Sequence, residues 1–139
     1  MNDLIINRVE YKPGYGDMLG GYHNYVLEKN DEGNWIMTST DQEDHNSQRI
    51  TTCYEVETES VEQFFQFIVD NDVFSLQERE ASDLFAYDYS PWYWYIEILS
   101  ESAENSIRLE QYKEYSEQDS ELLREMAQQF LALRWNPSR

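Results

Sequence analysis

The sequence predicts an α+β domain, an antiparallel sheet of about five or six strands with two amphipathic helices packed on one face. Three observations lead there. Apolar residues alternate with a period of two in much of Leu4–Val56 and again over Trp92–Tyr112, as in half-buried strands. The apolar spacing widens to the helical period from Val61 to Ile68 and from Leu122 to Leu133. The segments run in blocks of strands, helix, strands, helix, which favours antiparallel pairing over strictly alternating βαβ units.

In chain order, Leu4 to Tyr11 reads as a first strand, with Ile5, Val9 and Tyr11 on one parity, Leu4 and Ile6 on the other, and Asn7 interrupting. Pro13 and the four glycines that follow it mark GYGDMLGG as a wide turn. Tyr22–Lys29 is a second strand, joined through Asn30-Asp31-Glu32-Gly33 to a hairpin partner at Trp35–Thr38. The polar stretch Thr40–Gln48 reads as a solvated connection. Ile50, Thr52, Tyr54 and Val56 then alternate with Thr51, Cys53, Glu55 and Glu57, giving a strand with one buried and one partly acidic face.

Ser60 and Gln63 stand at capping-box spacing, which starts a helix at about 59–71 with Val61, Phe64, Phe65 and Ile68 on one side. Asp72–Pro91 keeps neither period and reads mostly as loop. Trp92–Leu99 is dense in aromatic and β-branched residues, so it is a strand, and Ile107–Tyr112 is its partner across the polar turn SESAENS. A last helix runs from Glu117 to Arg134, with Leu122, Leu123, Met126, Phe130 and Leu133 on one side and Glu117, Glu121 and Glu125 opposite.

A chain of 139 residues suits one acidic α+β domain over 1–139, burying roughly two thirds of its unfolded surface. Its 28 acidic and 10 basic residues give a net charge of −18, which argues against direct contact with nucleic acid or an anionic membrane, since both need a basic patch. With 11 Tyr, 6 Phe and 4 Trp the chain is too rich in large apolar groups to be a disordered acidic tail. Cys53 is the only cysteine, which rules out an internal disulfide and suits a reducing compartment. The start MNDLIINRVE lacks the basic and apolar parts of a signal peptide, and no apolar run approaches the ~18 residues of a membrane span, so a cytoplasmic protein is expected.

The segment GDMLGGYHNYVLE after the first strand, together with the closing aromatic strand, polar turn, strand and helix, resembles small uncharacterised α+β proteins of Gram-positive bacteria. The resemblance spans most of the chain. It implies the fold and carries no site residue.

No catalytic constellation emerges, and the expectation is a non-enzyme without metal or cofactor. His23, His45 and Cys53 are too few and too poorly spaced for a structural zinc site. Asp41, Glu43, Asp44 and Asn46 lack the glycine and distal glutamate of a calcium loop, and GYGDMLGG lacks the GK[ST] ending of a phosphate loop. Cys53 has no activating motif and is expected to be a small, partly buried strand residue.

Two features point to a partner instead. Glu55 and Glu57 lie about 7 Å apart along one strand face, and Glu117, Glu121 and Glu125 repeat along a helix, so each row spaces carboxylates in the manner of a phosphate backbone. Tyr87 and Tyr89 precede the strand on which Tyr93, Tyr95 and Glu97 share the face opposite Trp94, and tyrosines beside acids suit an arginine-rich surface. These ten residues form the expected partner-binding set. In size, charge and lack of catalytic groups the chain looks like toxin-immunity proteins and phage anti-restriction or anti-CRISPR inhibitors. The expected function is therefore an acidic binding protein that masks a basic surface, such as the nucleic-acid site of a nuclease. The alternative is a non-catalytic cytoplasmic accessory or structural domain, homodimeric through its aromatic strand, whose acidity serves solubility.

Overall fold

The computed structural model describes residues 5–13, 22–43, 46–80, 92–99, 104–110 and 114–135. Six strands, β1 (Ile5–Lys12), β2 (Tyr22–Lys29), β3 (Trp35–Gln42), β4 (Ile50–Val56), β5 (Tyr93–Leu99) and β6 (Glu104–Glu110), form one sheet in the order β4-β3-β2-β1-β5-β6. Every neighbouring pair is antiparallel. Helices α1 (Thr58–Asp70) and α2 (Glu117–Ala132) lie on one face, as the sequence predicts.

The break in parity at Asn7 has a physical cause. The pairing of β1 with β5 slips between Ile6 and Arg8, so Asn7 is the extra residue of a β-bulge. The bulge lets Ile6 and Val9, three positions apart, both turn into the core. From there one cross-strand row runs through Tyr54, Met37, Leu27, Val9, Ile96 and Ile107, and all of these but Tyr54 are buried.

Val61, Phe64 and Ile68 of α1 and Leu123, Met126 and Phe130 of α2 close over this row. Phe130 joins the layers. Its ring lies 5.3 Å from both Phe64 and Trp94 and 6.4 Å from Tyr11, the last in an edge-on arrangement. Such aromatic contacts contribute beyond simple area burial.

The hairpin between β2 and β3 forms where Asn30 accepts the Glu32 and Asn34 amides through Oδ1, at 3.0 and 2.9 Å. Gly33 there adopts a φ of 85°, which a side chain would strain.

Several boundaries differ from the sequence expectation. Strand β3 continues through Thr40, Asp41 and Gln42, where a solvated connection was expected. It does so because β4 pairs along it as far as Asp41 and Ile50. Strand β4 is an edge: only Val56 is buried, and Ile50 is 59% exposed, so the expected buried face is confined to its last residues. Cys53 is exposed, correcting its expected partial burial.

The proposed capping box of Ser60 and Gln63 is absent because α1 begins earlier. Glu57 is its N-cap, and the Val61 amide bonds to the Glu57 carbonyl at 3.1 Å. Val73–Glu78 forms a 3-10 helix that buries Val73 and Leu76, where loop was expected, and the chain enters it through Asp72 at φ 52°. Strand β6 lies at Glu104–Glu110, so part of the anticipated turn SESAENS belongs to it. The rest of the anticipated loop, 81–91, lies outside the described residues.

The true capping box belongs to α2. Ser116 Oγ accepts the Asp119 amide at 3.0 Å, and the Asp119 carboxylate accepts the Ser116 amide at 3.0 Å. Asp119 also takes a two-pronged bond from Arg79, Nε at 2.8 Å and Nη2 at 3.1 Å, which ties the start of α2 to the end of the 3-10 helix. The arginine, and next the Ser116 donors, outweigh burial and hold the Asp119 carboxyl below the usual carboxylate range.

Two substitutions test this architecture by chemical denaturation. Phe130→Ala should cost about 3–5 kcal/mol of unfolding free energy, because it opens a cavity shared by both layers. Ser116→Ala should cost about 1 kcal/mol through the lost cap alone.

Candidate functional site

The two faces of the sheet differ in what they carry. On the face opposite the helices, β5 presents Tyr93, Tyr95 and Glu97, as strand parity predicts, and all three are partly exposed. Registered beside them are Arg8 and Glu10 of β1, Glu28 of β2 and Arg108 of β6. Glu55 of β4 occupies the far side of the same face, four strands from Glu97, or roughly 19 Å at the usual strand spacing.

Two arginines serve four of the acids on this face. Arg8 lies 3.2 Å from Glu10, 3.2 Å from Glu28 and 3.9 Å from Glu97. Arg108 pairs with Glu110 at 2.6 Å and lies 4.6 Å over the Tyr93 ring, whose hydroxyl donates to Glu10 at 3.1 Å. Burial and the neighbouring Glu10 raise the Tyr93 pKa, so the phenol stays a neutral donor. Asn24 Oδ1 is buried here, and among the described residues it meets no donor.

The helix layer is different. Glu57, Glu59, Glu62 and Asp70 on or beside α1, Asp72, Glu78 and Glu80 around the 3-10 helix, and Glu114, Glu117, Glu121 and Glu125 on or beside α2 are all exposed. Among the described residues, none of these eleven carboxylates has a cation within ion-pairing distance. Arg79, which sits among them, is committed to Asp119.

The ten expected partner-binding residues therefore divide between layers. Glu55, Tyr93, Tyr95 and Glu97 belong to the sheet face, Glu117, Glu121 and Glu125 to the helix layer, and Glu57 caps α1 at the junction. Tyr87 and Tyr89 lie outside the described residues, as does His45.

A polar network missed by sequence reasoning lies on the helix side of β2 and β3. Asp41 accepts from His23 Nδ1 at 2.6 Å, from the Tyr25 hydroxyl at 3.0 Å and from the Ser39 hydroxyl at 3.1 Å. Arg134 donates to Ser39 Oγ at 3.3 Å and sits 5.1 Å over the Tyr25 ring. The sequence signal was available: His23, Tyr25, Ser39 and Asp41 occupy alternate positions on two hairpin strands, with His23 opposite Asp41 and Tyr25 opposite Ser39.

Chemically this network is a fastening and not a nucleophilic relay. The buried Ser39 hydroxyl donates to Asp41, so the serine–histidine hydrogen bond that activates a nucleophile is not made between these residues. Through Arg134 it fastens the 3-10 turn Leu133–Trp135, which follows α2, to the sheet.

Among the described residues, no group of three or more His, Cys, Asp or Glu is placed to hold a metal ion. No described helix is long and apolar enough to cross a membrane. No known protein family matches the chain, and no curated protein does.

Burial pushes the Asp41 carboxyl up, but the His23, Tyr25 and Ser39 donors together outweigh it, and its pKa ends below the ordinary value. A carboxyl held low in the folded state contributes stability that is complete above its unfolded pKa of about 4 and is lost as pH falls through the folded value. Thermal unfolding of wild type and Asp41→Asn should therefore differ most at neutral pH and converge in acid. A gap independent of pH would contradict this account.

Proposed function

We propose that this is an acidic, non-catalytic binding protein that masks a basic surface of a protein partner, such as the nucleic-acid site of a nuclease. It would act in the cytoplasm in the manner of an immunity or phage anti-defence inhibitor. One observation supports this above the others: the exposed carboxylates gathered in the helix layer have no cation within ion-pairing distance among the described residues, whereas on the opposite face Glu10, Glu28, Glu97 and Glu110 each lie beside an arginine. On α2, Glu117, Glu121 and Glu125 stand one helical turn apart, about 6 Å along the axis, which is close to the interval between phosphates of one nucleic-acid strand. The helices rest on a packed core, so the backbone that spaces the row is set before any partner arrives. Complementary charge of this kind speeds association and makes it salt-sensitive.

A second reading is favoured by a separate observation. Val26, Ile36 and Tyr95 are partly buried apolar side chains on the face that no described helix covers. A homodimer through that face would make the acidity a matter of solubility.

The decisive experiment captures partners from a host lysate on the immobilised protein at low and high salt, then measures association of the captured protein. Reversal of Glu117, Glu121 and Glu125 to lysine should slow association at low salt by about tenfold or more, and high salt should slow wild type toward the same rate. A partner whose on-rate ignores both salt and these reversals would overturn the electrostatic proposal. Sedimentation that shows a concentration-dependent dimer abolished by Tyr95→Ala would favour the second reading instead.

A further inference from the structure

A cleft of about 300 Å³ opens between α2 and the ends of β1 and β5. Ser120, Leu123, Arg124 and Ala127 line it from α2, where their spacing puts them along one stripe of the helix. Facing them is an aromatic wall. Tyr11 and Trp94 stack with ring centroids 4.1 Å apart and planes 19° apart, and Trp92 stands beside them at the mouth. Trp92 is itself stacked on Tyr115 at 5.7 Å, and the Tyr115 hydroxyl is fixed by donating to the Glu110 carbonyl at 2.8 Å. The wall is thus braced from behind.

Two polar groups in this cleft have no task in the fold. Among the described residues, the Arg124 guanidinium makes no ion pair and the Tyr11 hydroxyl has no hydrogen-bond partner. Arg49 also makes no ion pair, but it donates to Gln42 Oε1 at 3.3 Å and lies over the Tyr22 ring, so among the described arginines Arg124 alone has neither an ion pair nor a hydrogen bond. Burial raises the Tyr11 pKa, so at neutral pH its phenol can only be a neutral donor or acceptor. The cleft therefore combines flat apolar walls with two donors, one of them cationic, and its volume falls at the small end of ligand pockets.

We propose that this cleft binds a small planar aromatic carboxylate, its ring against Trp92 and the Tyr11 ring that buried Trp94 backs, its carboxylate held by Arg124 and the Tyr11 hydroxyl. Arginine grips a carboxylate through two parallel hydrogen bonds, a geometry that neutral or cationic ligands of the same shape do not offer. The chain's net negative charge opposes an anion at long range. That repulsion is screened within about 8 Å at physiological salt, while the short-range contact persists. Moderate salt should therefore strengthen binding, the reverse of the salt response proposed for the helix layer. The two proposals rest on different side chains of α2, and failure of one leaves the other standing.

The test titrates the full chain with benzoate and 1-naphthoate, following the tryptophan indole N–H signals by NMR. Benzamide, 1-naphthamide and benzamidine serve as neutral and cationic counterparts. Saturable shifts at Trp92 and Trp94 with the carboxylates are expected, with the amides at least about tenfold weaker. Arg124→Gln, an exposed position whose change leaves the core intact, should weaken the carboxylates by about tenfold and leave the amides unchanged. Tyr11→Phe should produce a smaller loss. Arg108→Gln on the opposite face should change nothing. Absence of saturation, equal binding of carboxylates and amides, tighter binding of benzamidine, or indifference to Arg124→Gln would each overturn the proposal.

Discussion

Phe130 touches every layer of the molecule. Its ring meets Phe64 of α1 on one side and Trp94 and Tyr11 of the sheet on the other, so the two helices and the central strands share one aromatic junction. The order of the sheet makes that junction necessary. Within the sheet, β1 joins the meander β2-β3-β4 to the hairpin β5-β6, and its pairing with β5 links residues more than eighty positions apart in the chain. Closing so long a loop costs conformational entropy, which the packing of Trp94 and Tyr11 under α2 must offset. The bulge at Asn7 serves the same end by turning both Ile6 and Val9 inward beneath the helices.

Local pattern made much of this legible. Strand β2, the turn at Asn30–Gly33, the shared parity of Trp94 and Ile96 and the apolar side of α2 all follow from residues close in sequence, whereas which face of β5 is core does not. Misreadings arose where distant partners decide. The outer half of β3 is polar, and Asp41 belongs to a strand only because β2 and β4 both pair beside it. Ser60 carried a capping signal, but β4 ends at Val56 and α1 follows at Thr58 with Glu57 as its N-cap, which leaves Ser60 inside the first turn. The Ser116–Asp119 cap was written plainly three residues apart and was overlooked. For the functional surfaces the difficulty was larger, because a count of acids does not reveal which have cations. That Arg8 serves Glu10, Glu28 and Glu97 depends on sheet order, and so does the gathering of Tyr11, Trp92 and Arg124 around one cleft.

The distribution of charge follows from the same order. Arginines placed on the open sheet face sit among acids from neighbouring strands, where cross-strand pairs of opposite sign stabilise the sheet. The helix layer has no such arrangement, and each pair of carboxylates one turn apart costs about 0.7 kcal/mol of repulsion in bulk water before screening by salt. A fold with a packed aromatic junction can carry that burden. The capped start of α2 offsets part of it, since Glu117 and Asp119 in its first turn meet the positive end of the helix dipole.

The exposure of β4 bears on how the molecule behaves in a crowd. Thr51, Thr52 and Cys53 all face solvent on the outermost strand, whose outer backbone edge has no neighbour among the described residues. Such an edge is a template for another chain to add on. A net charge of −18 repels like copies, and an antiparallel pairing centred on exposed Cys53 would set two thiols side by side. Such repulsion weakens as carboxylates are protonated, so an unpaired edge of this kind is most open to addition in acid.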